Sequence, residues 1–161
     1  MADTKTTTTL HDSPVPPRAK LAAAWTSFMF LYIYVDYLHL YKPGAVADIL
    51  AGVVWELDIS QSFVVFALTS VAIPILMILL SMTLPARANR RANLVVATLY
   101  IPYSVFNLIG GEWLVFYGLG VVLEVLLLAF VLRSAWTWPR TSSAPAPEPA
   151  AQLRSQIQMG R

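Results

Sequence analysis

Residues 62–94 read SFVVFALTSVAIPILMILLSMTLPARANRRANL. The first 23 carry no charged side chain, and the next ten carry three arginines. An apolar run of that length crosses a hydrocarbon core of about 30 Å as a helix, which takes roughly 20 residues. Arginines that close such a run stay on the cytoplasmic side. This one stretch sets a fold class and a direction.

Working outward, three more runs have spanning length, at about 21–41, 94–110 and 113–136. The expectation is an all-α chain: a four-helix transmembrane bundle filling residues 21–138. Composition agrees, since the 161 residues are 57% hydrophobic and only 12% charged, against about 25% charged in soluble domains. No cysteine is present, which excludes disulfides, thiolate metal sites and thiol redox chemistry. A net charge of +2 is too small to imply nucleic acid.

Residues 1–20 are polar and proline-bearing and are expected to be a disordered cytoplasmic leader. They are no signal peptide, because the small residues Ala22, Ala23 and Ala24 open the apolar run and do not close it. The Pro/Ala/Ser-rich segment 139–161 is expected to be a disordered cytoplasmic tail.

The cations fix the orientation. Lys5, Arg18, Lys20, Arg87, Arg90, Arg91, Arg133, Arg140, Arg154 and Arg161 fall on one side of a four-span chain, and Lys42 alone on the other. Asp48, Glu56, Asp58 and Glu112 lie on the Lys42 side. The positive-inside rule then reads N-in and C-in, in the plasma membrane, with the bilayer as the first partner.

The connections constrain neighbours. Gly110, Gly111 and Glu112 leave almost no loop, so the third and fourth spans form an antiparallel hairpin. About eight residues join the second and third, which are expected to lie side by side. The first outer loop, KPGAVADILAGVVWELDIS (42–60), places Ala45, Val46, Ile49, Leu50 and Val53 at helical spacing. That pattern reads as a short amphipathic element on the outer membrane surface, or as a cap packed over the bundle. Asp58 or Ser60 is placed to cap the second span.

Charged residues within spans are costly, about 2.5–3.5 kcal/mol each at the centre, and face the bundle interior. On the first span Trp25, Tyr32, Asp36 and His39 share one stripe, with Phe30, Tyr34, Tyr37 and Tyr41 opposite. The third span lines up Asn93, Ala97, Tyr100, Ser104, Asn107 and Gly111. The fourth aligns Trp113, Tyr117, Gly120 and Glu124, and the second Ser70, Pro74, Met77 and Ser81. Pro74 and Pro102 each free a backbone carbonyl. Gly118 and Gly120 lack the spacing of a helix self-association motif.

Depth sorts the polar groups. At about 1.5 Å per residue, Asp36, Asn107 and Tyr117 lie roughly 6–9 Å below the outer ends of their spans. With His39 and Glu112 they form a candidate outward-opening cluster. Glu124 lies about 19 Å down by the same rise, with Tyr100 as its expected partner and Tyr32 and Ser70 a little higher. Asp36 and His39 at i,i+3 spacing match half of a metal site, but no span holds a second histidine. No metal or cofactor is expected, and bis-histidine haem ligation is excluded. Arg87, Arg90 and Arg91 either meet anionic headgroups or serve only to fix topology.

The stretches FMFLYIYVDYLHLYKPG, VWELDISQSF, SMTLPARANRRANLVVATLYIPYSVFNL and AWTWPR together resemble a bacterial family of small four-span membrane proteins, known only as a domain of unknown function. The resemblance runs from about residue 20 to 140. It implies a four-helix membrane fold in the plasma membrane and brings no activity, ligand or site residue.

Two function classes follow from the residues. One is a protein that binds or transports a small ion or amphipathic molecule through Asp36, His39, Asn107, Glu112, Tyr117, Glu124, Tyr100 and Tyr32. At four spans such a path requires a homo-oligomer. The other is an accessory or structural protein whose polar residues hold helices together or dock a membrane-protein partner. A third and weaker class is an intramembrane enzyme on a lipid or quinone, with Glu124 or Asp36 as acid or base.

Overall fold

The computed structural model describes residues 13–54, 57–106, 108 and 113–139. Its helices are α1 (Pro17–His39), α2 (Ala45–Leu50), α3 (Gln61–Thr83), α4 (Ala86–Phe106) and α5 (Leu114–Trp136). Between α2 and α3, β1 (Val53–Val54) and β2 (Leu57–Asp58) pair antiparallel, Val53 opposite Asp58. The all-helical expectation omits this hairpin. At 23 residues each, α1, α3 and α5 run about 34 Å. These three are long and apolar enough to cross a membrane, which points to membrane association.

Local chemistry explains most of the helix ends. Pro17 opens α1 at a position whose N–H needs no partner. Ser60 caps α3, its Oγ accepting from the Phe63 N–H at 3.2 Å, as one of the two expected caps. Gly44 (φ 89°) enters α2 and Gly52 (φ 84°) leaves it, both in the left-handed region that favours glycine.

One boundary differs from expectation. α4 starts at Ala86, eight residues before the apolar run, so only Leu84 and Pro85 separate α3 from α4. The PARANRRAN stretch is the start of a helix, not a loop. Hydropathy marks where lipid begins, whereas backbone hydrogen bonds continue past that boundary.

α1 packs against α3 and α5, and α4 against α5 and, less extensively, α3. Long-range bonds give the helix directions. Arg18, early in α1, donates to the Met82 carbonyl late in α3. Arg90, early in α4, donates to the Ala135 carbonyl late in α5. His39, ending α1, meets Tyr117 at the start of α5. Thus α1 and α4 run one way and α3 and α5 the other. Arg18, Lys20, Arg87, Arg90, Arg91 and Arg133 gather at one end, called the basic end below; α2 and the β-hairpin lie beyond the other, the hairpin end.

The core belongs mainly to the basic half. Leu21, Trp25, Phe28 and Met29 of α1 meet Met77, Ala97, Tyr100, Leu128, Val131 and Ala135. Trp25 and Phe28 each stand edge-on to Tyr100, with centroids 6.4 and 6.0 Å away. The opposite faces remain bare: Phe30, Tyr34, Tyr37 and Tyr41 are exposed along α1 and beyond it, as are Phe66, Leu68 and Leu79 on α3. In lipid such faces need no cover, because helix association there depends on packing and hydrogen bonds.

Candidate functional site

Polar side chains enter the interior at three levels. Nearest the basic end lies an asparagine knot. Asn93 Oδ1 accepts from Trp25 Nε1 at 2.7 Å and from Ser81 Oγ at 3.4 Å. Asn93 Nδ2 donates to Asn89 Oδ1 at 2.7 Å, and Asn89 Nδ2 to the Ser81 carbonyl at 2.6 Å. Asn89, Asn93 and Ser81 are wholly buried, and three helices are tied through them. Asn93 was readable from its stripe; Asn89 was not, because it resembled part of a polar loop.

At the middle level, Pro74 withholds the N–H that would bond the Ser70 carbonyl four residues back. Tyr100 supplies a donor in its place, its hydroxyl bonding that carbonyl at 2.5 Å. Tyr103 donates to Ser70 Oγ at 3.2 Å and lies 3.3 Å from the Tyr32 hydroxyl. The crevice framed by Phe28, Tyr32, Ser70, Pro74, Tyr100 and Tyr103 has no room for a water molecule. This network corrects the expected Glu124–Tyr100 pair, because the proline's freed carbonyl holds the tyrosine.

Glu124 is 3% exposed. The Ser104 hydroxyl lies beside its carboxyl, close enough to act on it as a donor, and beyond one another Ser104 Oγ and Glu124 Oε2, each buried, have no hydrogen-bond partner. Asp36 is within electrostatic reach of Glu124, Tyr32 and Tyr117. The two carboxyls therefore share one electrostatic neighbourhood. The reason is the close contact of α1 with α5: a Cβ on Gly120 would stand 3.0 Å from Val35.

At the hairpin end, His39 Nδ1 and the Tyr117 hydroxyl are hydrogen-bonded, and Lys42 lies within electrostatic reach of both. Asp36, on the same stripe as buried Trp25, is exposed. Lys42, Ser104 and Tyr103 were not among the expected site residues, although Ser104 sat on the right stripe. Asn107 and Glu112 lie outside the described residues. Among the described residues, no three His, Asp or Glu side chains gather where a metal ion could be held.

A match to one family covers residues 16–144, most of the chain. The chain belongs to DUF6326, a family of unknown function. No curated protein and no solved structure matches it. The match takes in all five helices of the DUF6326 chain, and with them every polar level described above.

Proposed function

We propose that the chain is a four-span integral membrane protein, N-in and C-in, whose hairpin half holds a small cation or a proton at Glu124. The topology rests on charge: of the described cations only Lys42 lies at the hairpin end. It also takes α4 as a span, 21 residues and about 31 Å long, although three arginines occupy its first six positions. The exposed Val46, Leu50 and Leu57 of α2 and the hairpin suit an element resting on the outer membrane surface.

The observation that carries the binding reading is the buried pair of Glu124 Oε2 and Ser104 Oγ, which have no hydrogen-bond partner beyond one another. An uncompensated carboxylate is expensive within a bilayer, and a bound cation or proton neutralises it. Asp36, exposed and within electrostatic reach, offers an entry from the hairpin side, beside His39 and Tyr117.

A second reading makes the protein an accessory or structural one. The asparagine knot favours it, since there buried polar groups join three helices.

Carbodiimide labelling of the protein in liposomes, mapped by mass spectrometry, separates the two. The binding reading expects Glu124 to be labelled, with the rate slowed by added sodium or by raised pH, and slowed again in Asp36→Asn. A Glu124 that stays unlabelled, or a rate indifferent to both additions, leaves the structural reading standing.

A further inference from the structure

The asparagines of α4 that face the core leave two arginines facing away from it. Arg87 and Arg91 are exposed, one turn apart, and the same line continues through Val95, Leu99, Pro102 and Phe106, all exposed. Spacings of three and four residues keep these six on one outward stripe. The stripe changes character once: two guanidinium groups, then apolar surface beside the exposed Thr98, whose hydroxyl is spent on the Leu94 carbonyl at 2.7 Å.

Side chains at i,i+4 stand about 5–6 Å apart at Cβ, so both guanidinium forks reach one phosphate, which is the geometry such planar donors match. From Val95 to Phe106 the helix rises about 16 Å, the depth of one leaflet of a hydrocarbon core of about 30 Å. Arg90 is occupied differently. Its Nε bonds the Ala135 carbonyl at 3.1 Å, and its guanidinium lies 5.6 Å over the Trp136 ring, so it braces α5.

We propose that this stripe is a seat for one anionic phospholipid, with its phosphate on Arg87 and Arg91 and an acyl chain along Val95, Leu99, Pro102 and Phe106. The proposal rests on the four-span reading, in which Arg87 and Arg91 stand at headgroup level. A soluble phosphate would use only the first two residues of the stripe; a lipid uses all six.

The test is native mass spectrometry of the protein released from bilayer discs containing equal phosphatidylglycerol and phosphatidylcholine. Membranes are washed with alkaline carbonate beforehand. Wild type is expected to retain phosphatidylglycerol selectively, and Arg87→Gln/Arg91→Gln to reduce that retention about tenfold. Lys20→Gln/Arg133→Gln, which removes two other charges from the same end, is expected to leave it unchanged. Soluble glycerol phosphate is expected not to displace the lipid.

Equal retention of both lipids, or an equal fall in both double variants, overturns the seat and reduces the arginines to general surface charge. Displacement by glycerol phosphate overturns the role of the apolar stripe. A chain released by the carbonate wash overturns the four-span reading together with the seat, whereas a chain that stays but shows no lipid preference overturns only the seat. Both arginines are exposed, so the double variant is expected to fold; a wild-type melting temperature confirms that any lipid loss is local.

Discussion

The two halves of this protein handle polar groups in opposite ways. In the basic half, Asn89, Asn93, Ser81 and Trp25 are buried in mutual hydrogen bonds amid a dense apolar and aromatic core. In the hairpin half, α1 has no buried residue after Met29, Asp36 is exposed, and Glu124 and Ser104 each hold a buried oxygen with no partner beyond one another. Satisfied groups join helices, as His39 and Tyr117 also do at the hairpin end; Glu124 and Ser104 are buried without such a network around them. The difference teaches that polarity inside a membrane helix is informative only once its partners are counted.

The sharpest way to break the comparison is Asn93→Ala. It removes bonds to Trp25, Ser81 and Asn89 together and opens a cavity, so a loss of about 3 kcal/mol in unfolding free energy is expected. Steric-trap or denaturant unfolding in detergent measures it. A loss no larger than an exposed substitution gives would mean that the basic half is not the structural one.

Tyr100→Phe follows in size. It strands the Ser70 carbonyl, an unsatisfied buried acceptor costing about 1–3 kcal/mol. In a Pro74→Ala background residue 74 regains its N–H and bonds that carbonyl within α3, so the same change is expected to cost about 0.6 kcal/mol. Equal costs in both backgrounds would separate the tyrosine from the proline.

Glu124→Gln is expected to have the smallest effect on stability, within about 1 kcal/mol, because the amide oxygen can still accept from Ser104, the hydroxyl beside the carboxyl. A large destabilisation would place Glu124 with the asparagines and dissolve the contrast between the halves.

Much of this was legible in the sequence because helix periodicity and apolar length are local properties. The buried stripe Asn93, Ala97, Tyr100 and Ser104 follows from 3.6-residue spacing alone, as does the exposed aromatic face of α1. The start of α4 was hidden because Arg87, Asn89, Arg90 and Arg91 read as a loop by polarity, while Asn89 and Arg90 find their partners in α3 and α5. Tyr32 lies within electrostatic reach of Glu124 as expected, but the Tyr100 pairing differs for a related reason. Depth counted along each helix cannot show that Pro74 would claim Tyr100, or that the α1–α5 approach at Gly120 would bring Asp36 near. The hairpin of two-residue strands is shorter than any alternation pattern can reveal.

The Pro74–Tyr100 bond also bears on how the chain is made. Synthesis completes α3 before residue 100 exists, so for that interval the Ser70 carbonyl has no donor from its own helix. α3 is thus born unfinished, and the two-residue turn at Leu84 and Pro85 delivers the helix that completes it without delay. A nascent chain truncated between 84 and 99 would carry an open backbone acceptor at Ser70 that the finished chain closes.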